Sequence, residues 1–248
     1  MDDIRKLAAV INRAERIVAF TGAGFSVPSG IPDFRSAGGI YDKDFDGIPP
    51  EVILSHGFFV RYPERFYDFY RKKMIYADAR PNAAHLLLAD LERAGKRVSV
   101  VTQNIDGLHT AAGSRRVWEL HGSVYRNFCG SCGKTFGLSA VTESEGVPRC
   151  DRCGGIIRPD VVLYGEGLDN DVFTGAAKDI EEADAMIVAG TSLAVYPAAG
   201  LVTEFAGRDL VLINKSATER DGLATLLING DVAETAKAVA PLIDCLCL

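Results

Sequence analysis

Four cysteines fall in two Cys-x2-Cys pairs, and their spacing constrains the fold of this chain more than any other feature. The pairs are Cys129 with Cys132 and Cys150 with Cys153, separated by 17 residues. Two such pairs can complete the closed tetrahedral site of one structural zinc ion. Two redox-active thiol pairs are the alternative, but the paired spacing in a chain without an evident secretion signal favours Zn²⁺. Two further cysteines, Cys245 and Cys247, are expected to be free thiols on a loosely docked tail.

The composition is that of a globular protein large enough to build a substantial core. The chain has 248 residues, of which 48% are hydrophobic and 24% charged, with a formal net charge of −6. The acidic balance argues against direct nucleic-acid binding, which relies on phosphate neutralisation. The apolar runs are too short to span a bilayer, and the N-terminus lacks the features of a signal peptide. We therefore expect a cytoplasmic protein, monomeric and not bound to membranes.

Short, continuous apolar runs alternate with longer amphipathic stretches. Continuous runs are typical of strands that are covered on both faces. They predict strands at residues 17–20, 98–101, 160–163, 185–188, 210–213 and 225–228. Helices are predicted at residues 4–13, 83–94, 172–183, 198–208 and 232–242. This alternation predicts an α/β fold with a doubly wound, Rossmann-like parallel sheet.

Two stretches interrupt this alternation and are interpreted as insertions. We expect residues 36–79, a helical part, and residues 125–157, which carry the paired cysteines, to form a small domain. The main domain then comprises residues 1–35, 80–124 and 158–248. A cleft between two domains is the usual place for a ligand, so the binding site is expected there.

A glycine-rich turn, Gly22-Ala23-Gly24, directly follows the first predicted strand. Such a turn lets the backbone approach a pyrophosphate, although a glycine turn without a ligand is the alternative. Phe-Ser-Val-Pro follows Gly24, so the usual dinucleotide fingerprint is absent and a classical dehydrogenase is excluded. The motifs at Thr102, Gly190 and Asn214 also follow predicted strands. All four should meet at the carboxyl edge of the sheet, where ligands bind in such folds.

The order of these motifs resembles that of one family. The segments that carry the resemblance are Gly22 to Ser36, Thr-Gln-Asn-Ile-Asp-Gly-Leu-His at 102–109, Leu-His-Gly at 120–122, Arg-Pro-Asp-Val-Val-Leu-Tyr-Gly-Glu at 158–166, Gly-Thr-Ser-Leu at 190–193 and Ile-Asn-Lys at 213–215. From residue 17 to about residue 232 the chain resembles the sirtuins, NAD-dependent protein-lysine deacylases. The resemblance implies removal of acetyl, or longer neutral acyl, groups from protein lysines. Its products would be nicotinamide, O-acyl-ADP-ribose and free lysine.

The resemblance also implies a role for individual residues. His121 matches the general base, and a neutral imidazole can accept a ribose hydroxyl proton near pH 7. Asn104 and Asp106 match residues that position the nicotinamide ribose and carboxamide. The remaining matches to NAD⁺ contacts are Gly22, Ala23, Gly24, Asp33, Phe34, Arg35, Gln103, Ile105, Gly190, Thr191, Ser192, Asn214, Lys215 and Val232. The other histidines, His56, His85 and His109, are interpreted as structural.

The expected substrate is an acyl-lysine protein or peptide, bound between the domains. The resemblance implies backbone pairing of an extended peptide with Val161, Val162, Gly165 and Glu166, and Val161 and Tyr164 are candidate tunnel walls. Many relatives have Phe at the position of Tyr164. Desuccinylating sirtuins carry Tyr-x-x-Arg in the small domain.

Tyr67 and Tyr70 are candidate acyl-pocket residues, with ordinary core aromatics as the alternative. Arg71 comes one position too late for the Tyr-x-x-Arg pattern. One position is about 100° of helix rotation, so we expect deacetylation rather than desuccinylation.

Two other functions use the same nucleotide residues. One is a protein mono-ADP-ribosyltransferase on the same scaffold, and the other is a non-catalytic sensor of NAD or ADP-ribose. The presence of His121 together with the peptide-pairing strand favours deacylation over the transferase. The joint presence of His121, Asn104 and Asp106 favours an enzyme over a sensor.

Overall fold

A computed structural model describes residues 2–246 and contains a six-stranded parallel sheet. The strands along the chain are β1 (Arg16–Thr21), β2 (Arg97–Thr102), β3 (Val117–Glu119), β4 (Gly122–Cys129), β5 (Thr135–Phe136), β6 (Ile157–Val161), β7 (Ala185–Ala189), β8 (Asp209–Asn214) and β9 (Leu226–Asn229). The large sheet has the order β3-β2-β1-β7-β8-β9, and each neighbouring pair is parallel. The order reverses between β1 and β7, which creates the crevice at the carboxyl edge where ligands bind. The predicted α/β parallel fold is confirmed.

Helices cover both faces of this sheet. The α-helices are α1 (Asp2–Arg13), α2 (Pro50–Ile53), α3 (His56–Arg61), α4 (Pro63–Lys73), α5 (Ala83–Arg93), α6 (Leu108–Ala112), α7 (Ser139–Thr142), α8 (Asn170–Glu181) and α9 (Val232–Val239). One apolar core lies between the sheet and α1, α5 and α9, and a second lies between the sheet and α8. The predicted helix at 198–208 is instead a 3-10 helix, Ala198–Glu204. Gly200 within it disfavours a regular α-helix.

The predicted strand at 160–163 does not belong to the parallel sheet. Its observed counterpart, β6, pairs antiparallel with β4 in a three-stranded sheet of order β5-β4-β6. Burial alternates along β6, as expected of a strand that is covered on one face. Pro159 cannot donate a ladder hydrogen bond, and it fits this edge strand better than the interior of a parallel sheet.

The small sheet and helices α2 to α4 share a third apolar core. It is rich in aromatic side chains, and Phe66, Tyr67, Phe69 and Tyr70 of α4 are almost completely buried in it. Val124 of β4 and Val161 of β6 belong to the same core. This core supports one wall of the site described below, while the predicted domain bounds stay a prediction.

The C-terminal segment is docked on the main core. Cys245 is a free thiol, as predicted. It is partly buried and packs against the core under α1, α5 and α9, so the prediction that this part of the tail is loosely docked was wrong. Cys247 lies outside the described residues. Within residues 2–246, no helix is both long enough and apolar enough to cross a membrane.

Candidate active site and zinc centre

One cavity of about 650 Å³ lies at the carboxyl edge of the large sheet, between that edge and the aromatic core. Its walls contain all the predicted catalytic and nucleotide-binding residues and all the predicted residues of the peptide strand. They are Gly22, Ala23, Gly24, Asp33, Phe34, Arg35, Gln103, Asn104, Ile105, Asp106, His121, Val161, Val162, Tyr164, Gly165, Glu166, Gly190, Thr191, Ser192, Asn214, Lys215 and Val232. The structure therefore brings these residues together in one cavity.

The loop after β1 is held against the loop after β7 by close backbone contact. A Cβ atom on Gly24 would lie 2.9 Å from the Cα of Gly190, so a side chain at Gly24 would push the loops apart. Gly190 has φ +64, a left-handed conformation that favours glycine. Ala23 begins a 3-10 turn, where the first N–H has no partner within the turn. This N–H and the guanidinium of Arg35, which lines the same cavity, are suitable donors for a pyrophosphate.

His121 is held in one tautomer by the backbone. Its Nδ1 lies 3.0 Å from the carbonyl oxygen of Gln103, and because a carbonyl only accepts, Nδ1 carries the proton. The lone pair of the ring is then on Nε2. Burial lowers the pKa of His121, and the hydrogen bond to Gln103 offsets this only in part. The imidazole is therefore neutral at pH 7 and can accept a proton at Nε2.

Asn104 and Asp106 are connected through Ser26, a residue that the sequence reasoning missed. Ser26 Oγ donates to Asp106 Oδ2 at 2.6 Å, and Asn104 Nδ2 donates to Ser26 Oγ at 3.1 Å. Ser26 is 1% exposed although it lies in a loop. A single serine has no periodic signal, and only its place after the glycine turn could have indicated this contact. Burial raises the pKa of Asp106, while the hydrogen bonds from Ser26 and from the N–H of Leu108 oppose the rise.

Thr191 joins the loops that follow β2, β7 and β8. Its Oγ1 accepts from Gln103 Nε2 at 2.9 Å and from the N–H of Leu193 at 3.2 Å. The Asn214 amide binds both the N–H and the carbonyl of Thr191, at 3.1 and 2.8 Å. Leu193 has φ +54, a conformation that costs free energy for a non-glycine residue. The bond from its N–H to Thr191 stabilises that conformation.

Asp33 organises the segment that carries Phe34 and Arg35. Its Oδ1 accepts from the backbone N–H groups of Arg35 and Ser36 at 3.0 and 2.7 Å, so Asp33 caps this turn. Phe34 contacts the ring of Tyr41, and the two ring centroids are 5.1 Å apart. Arg35 Nη1 donates to Ser192 Oγ at 3.3 Å, which links this segment to the loop after β7.

The adenosine end predicted for the cavity contains an ion pair. Lys215 Nζ lies 2.8 Å from Asp231 Oδ2, and Asp231 also caps α9, whose first residue is Val232. Burial raises the pKa of Asp231, but Lys215 and the helix N–H groups outweigh it, so the net pKa is lowered.

Backbone contacts fix the strand that was predicted to bind peptide. The N–H of Val162 donates to the carbonyl of His121 at 3.0 Å, and Tyr164 exchanges backbone bonds with Leu54 and His56. The carboxylate of Glu166 accepts from the guanidinium of Arg158, from the ring of His56 and from a backbone N–H. The Glu166 side chain thus stabilises the turn, and its backbone remains beside the cavity.

Tyr67 and Tyr70 do not line the cavity, which corrects their assignment as acyl-pocket residues. Both are 0% exposed, and the hydroxyl of Tyr67 donates to the carbonyl of Ile157. Arg71 also points elsewhere, because its guanidinium donates to the carbonyls of Val141 and Gly146. Tyr67, Tyr70 and Arg71 all lie on α4. The rotation of this helix that turns its aromatic rings into the core also turns the three side chains away from the cavity. Lys73, Met74 and Tyr76, just beyond, line the cavity instead.

The four paired cysteines form one cluster. Their Sγ atoms all lie within 4.8 Å of one another, with 3.4 Å between Cys129 and Cys153 and 3.7 Å between Cys132 and Cys150. Sulfurs around a tetrahedral zinc with bonds near 2.3 Å are about 3.8 Å apart, so the set fits Zn²⁺, while a disulfide would be far shorter. In each knuckle a backbone N–H points at a sulfur at 3.4 Å. None of the four lines the cavity, so the cluster is structural.

The other histidines lie outside the cavity walls. His85 and His109 are buried with ring centroids 4.7 Å apart, and His109 Nε2 lies 3.0 Å from Thr21 Oγ1. Burial lowers the pKa of His85 to about 3. Burial, and then the neighbouring His85, lower the pKa of His109 well below its usual range. Both rings are therefore neutral packing partners of Phe25, which belongs to the glycine-rich loop.

Comparisons with known proteins agree with one another. A family model for the Sir2 family matches residues 22–197. An NAD-dependent protein deacetylase of Clostridium acetobutylicum is 53% identical to this chain, over 96% of this chain and 98% of that protein.

Two solved structures are similar over nearly their whole length. A Sir2 structure with a deacetylated peptide and 3'-O-acetyl-ADP-ribose has a TM-score of 0.88 and 41% identity, covering 96% of this chain and 97% of its own. A Sir2 structure bound to a propionylated peptide has a TM-score of 0.84 and 40% identity, with the same coverage.

Proposed function

This chain belongs to the Sir2 family, and we propose that it removes acetyl groups from protein lysine side chains with NAD⁺ as co-substrate. The observation that carries the proposal is the neutral His121, which faces the same cavity as Asn104 and Asp106. The balanced reaction consumes acetyl-lysine, NAD⁺ and water, and it yields free lysine, nicotinamide and O-acetyl-ADP-ribose. The similar proteins are named NAD-dependent deacetylases, and one neighbour holds the deacetylated peptide with acetyl-ADP-ribose.

Different residues of this chain bind different parts of NAD⁺. NAD⁺, when bound, supplies the activated ribose carbon that receives the acyl oxygen as nicotinamide leaves. Ala23 and Arg35 hold the pyrophosphate, and Asn214 and Lys215 hold the adenosine. Asn104 and Asp106, fixed by Ser26, orient the nicotinamide ribose and carboxamide. Phe34 excludes water from the reacting carbon.

His121 acts as the general base through Nε2. Its Nδ1 proton is committed to the carbonyl of Gln103, so the free lone pair can take a proton from a ribose hydroxyl. The substrate peptide binds in extended form beside Gly165 and Glu166, with the lysine between Val161, Val162 and Tyr164. Such backbone recognition gives loose sequence specificity.

The acyl range includes short neutral groups and excludes succinyl. The wall formed by Ile40, Leu54 and Met74 is apolar, and a similar Sir2 structure holds a propionylated peptide. Arg71 is committed to the carbonyls of Val141 and Gly146 and does not serve a carboxylate in the cavity. We expect kcat/KM for a succinyl peptide to be at least tenfold below that for the acetyl peptide. A succinyl preference would contradict this and would point to Lys73.

The zinc ion held by Cys129, Cys132, Cys150 and Cys153 supports the small sheet and takes no part in the chemistry. Four thiolates leave no open position for a substrate. Because such a site needs reduced cysteines, we propose the cytoplasm as the location of the protein.

Mass spectrometry of the products tests the proposed reaction. The expected result is a lysine that loses its acetyl group, with O-acetyl-ADP-ribose formed in equal amount. The acetyl-ADP-ribose in the similar Sir2 structure favours this outcome over protein ADP-ribosylation. A protein that gains ADP-ribose while the lysine stays acetylated would overturn the proposal.

A further inference from the structure

Two tyrosine hydroxyls bind each other at the cavity wall, and the proposed reaction uses neither. Tyr41 Oη and Tyr164 Oη are 2.8 Å apart, and both residues line the cavity. Within residues 2–246, neither hydroxyl has a second hydrogen-bond partner. The two residues are 123 positions apart in the chain, so the contact depends on the fold.

The pair joins two parts of the site. Tyr41 packs against Phe34, and its N–H donates to the carbonyl of Phe34 at 2.9 Å. Tyr164 belongs to the substrate strand and is fixed by backbone bonds to Leu54 and His56. In the proposed binding mode the acyl-lysine lies between this strand and Phe34, in the cavity that both tyrosines line.

The pair has hydrogen-bonding capacity to spare. Two tyrosine hydroxyls bring two protons, and their mutual bond uses one of them. Burial, and then the hydrogen bond with Tyr164, raise the pKa of Tyr41 well above its usual range, so Tyr41 keeps its proton at neutral pH. One O–H donor and several lone pairs therefore remain for a ligand.

The pair lies where the apolar wall of the cavity meets solvent: Tyr164 is 43% exposed, and the charged side chains that act on the Tyr41 hydroxyl are Glu51 and Arg35. Ile40, Leu54, Met74 and Leu163 line the cavity and belong to the aromatic core. A purely alkyl acyl group that displaces water here leaves the remaining hydroxyl proton without a partner, which costs free energy. An acyl group with its own hydroxyl can both accept from this donor and donate to the pair. Sites of this kind discriminate against analogues that lack the hydroxyl.

We infer that Tyr41 and Tyr164 form a specificity site for short acyl-lysines that carry a hydroxyl on the acyl chain. The enzyme then removes hydroxyacyl groups more efficiently than the matching alkyl acyl groups. The inference rests on the proposed function, and the acyl transfer is unchanged, because the substrate hydroxyl takes no part in making or breaking bonds.

Matched substrates test the inference. One peptide is prepared with propionyl, 2-hydroxypropionyl, butyryl and 3-hydroxybutyryl lysine, and kcat/KM is measured for each. The ratio of hydroxyacyl to alkyl acyl should exceed one for at least one pair, by roughly two- to tenfold for a single neutral hydrogen bond. The double variant with Tyr41→Phe and Tyr164→Phe keeps both rings and removes both hydroxyls, so it should return that ratio to about one.

A third tyrosine provides the control. Tyr76 lines the same cavity but does not bond to the pair, so Tyr76→Phe should keep the wild-type ratio. Because each ratio is taken within one variant, a general loss of activity cancels.

Three results overturn the inference: wild-type ratios at or below one for both pairs, a ratio that survives in the double variant, or a ratio that falls only in Tyr76→Phe. Failure to deacetylate the acetyl peptide would instead refute the proposed function.

Discussion

At the residue scale, His121 is suited to the proposed role of base because the carbonyl of Gln103 fixes its tautomer. The Gln103 carbonyl accepts the Nδ1 proton, and burial lowers the pKa, so the ring stays neutral without a carboxylate partner. A backbone acceptor is a less obvious orienting group than an aspartate, and no local sequence pattern indicates it.

The lowered pKa of His121 predicts a specific pH profile. The active form is deprotonated, so kcat/KM should fall as the pH drops through a value below 6.5, the ordinary pKa of histidine. His121→Asn should remove this acid limb together with about 10²–10⁴ of the rate. An acid limb above pH 7, or one that persists in the variant, would contradict the assignment.

Thr191 is expected to position the site through its hydroxyl. Thr191→Val keeps the shape but leaves the Gln103 amide and the N–H of Leu193 without an acceptor, and the buried Leu193 donor alone costs about 1–3 kcal/mol. We expect kcat/KM for NAD⁺ to fall at least tenfold. Thr191→Ser retains the acceptor and should recover most of the activity, and equal losses in both variants would show that only methyl packing matters.

At the element scale, two short knuckles hold the small sheet together. Each Cys-x2-Cys turn has a glycine in the left-handed conformation, Gly133 in one and Gly154 in the other. The turns aim four sulfurs at one point at the end of β4, and β4 begins directly after His121. A zinc ion bound here would therefore stabilise the strand that follows His121, and none of its four ligands lines the cavity.

Loss of the metal should unfold this module. We expect about one zinc per purified chain, and Cys150→Ser should lose the zinc, lower the Tm and abolish activity, because the free energy of binding contributes to folding. Cys245→Ser changes a described cysteine outside the cluster and should keep the zinc. A Cys150→Ser protein that lacks zinc but melts at the wild-type temperature would refute the structural role.

The packing of α5 and α6 beneath the glycine-rich loop predicts acid sensitivity. In the folded chain His85 stays neutral down to about pH 3, whereas in the unfolded chain it binds a proton below about pH 6.5. The free energy of unfolding should therefore fall as the pH drops from 7 to 5, by about 2 kcal/mol from His85 alone. Denaturant titrations should show a smaller loss in His85→Gln, and an unchanged slope would be inconsistent with a buried neutral ring.

At the scale of the whole molecule, most of the parallel sheet could be predicted because five of its six strands contain continuous apolar runs; the sixth, β3, is only three residues long and partly buried. The site could be predicted because its motifs follow those strands. The exception was β6, since Val161-Val162-Leu163 is also a continuous run and only long-range pairing with β4 assigns it to the small sheet. Local sequence does not encode such pairing.

The directions in which individual side chains point could not be predicted from the sequence. Tyr67 and Tyr70 lie on the expected helix, but its rotation turns them into the core. Ser26 and Tyr41 lie in loops, where no periodicity indicates a contact. Their partners, Asp106 and Tyr164, are distant in sequence and meet only in the folded chain.

Release of nicotinamide from NAD⁺, measured with and without an acetylated peptide, tests the central claim most directly. The account predicts little release with NAD⁺ alone or with the unacetylated peptide, and rapid release when the acetylated peptide is present, because the acyl oxygen is the attacking group. Release at the same rate without any acetylated peptide, or no release with it, would contradict the account.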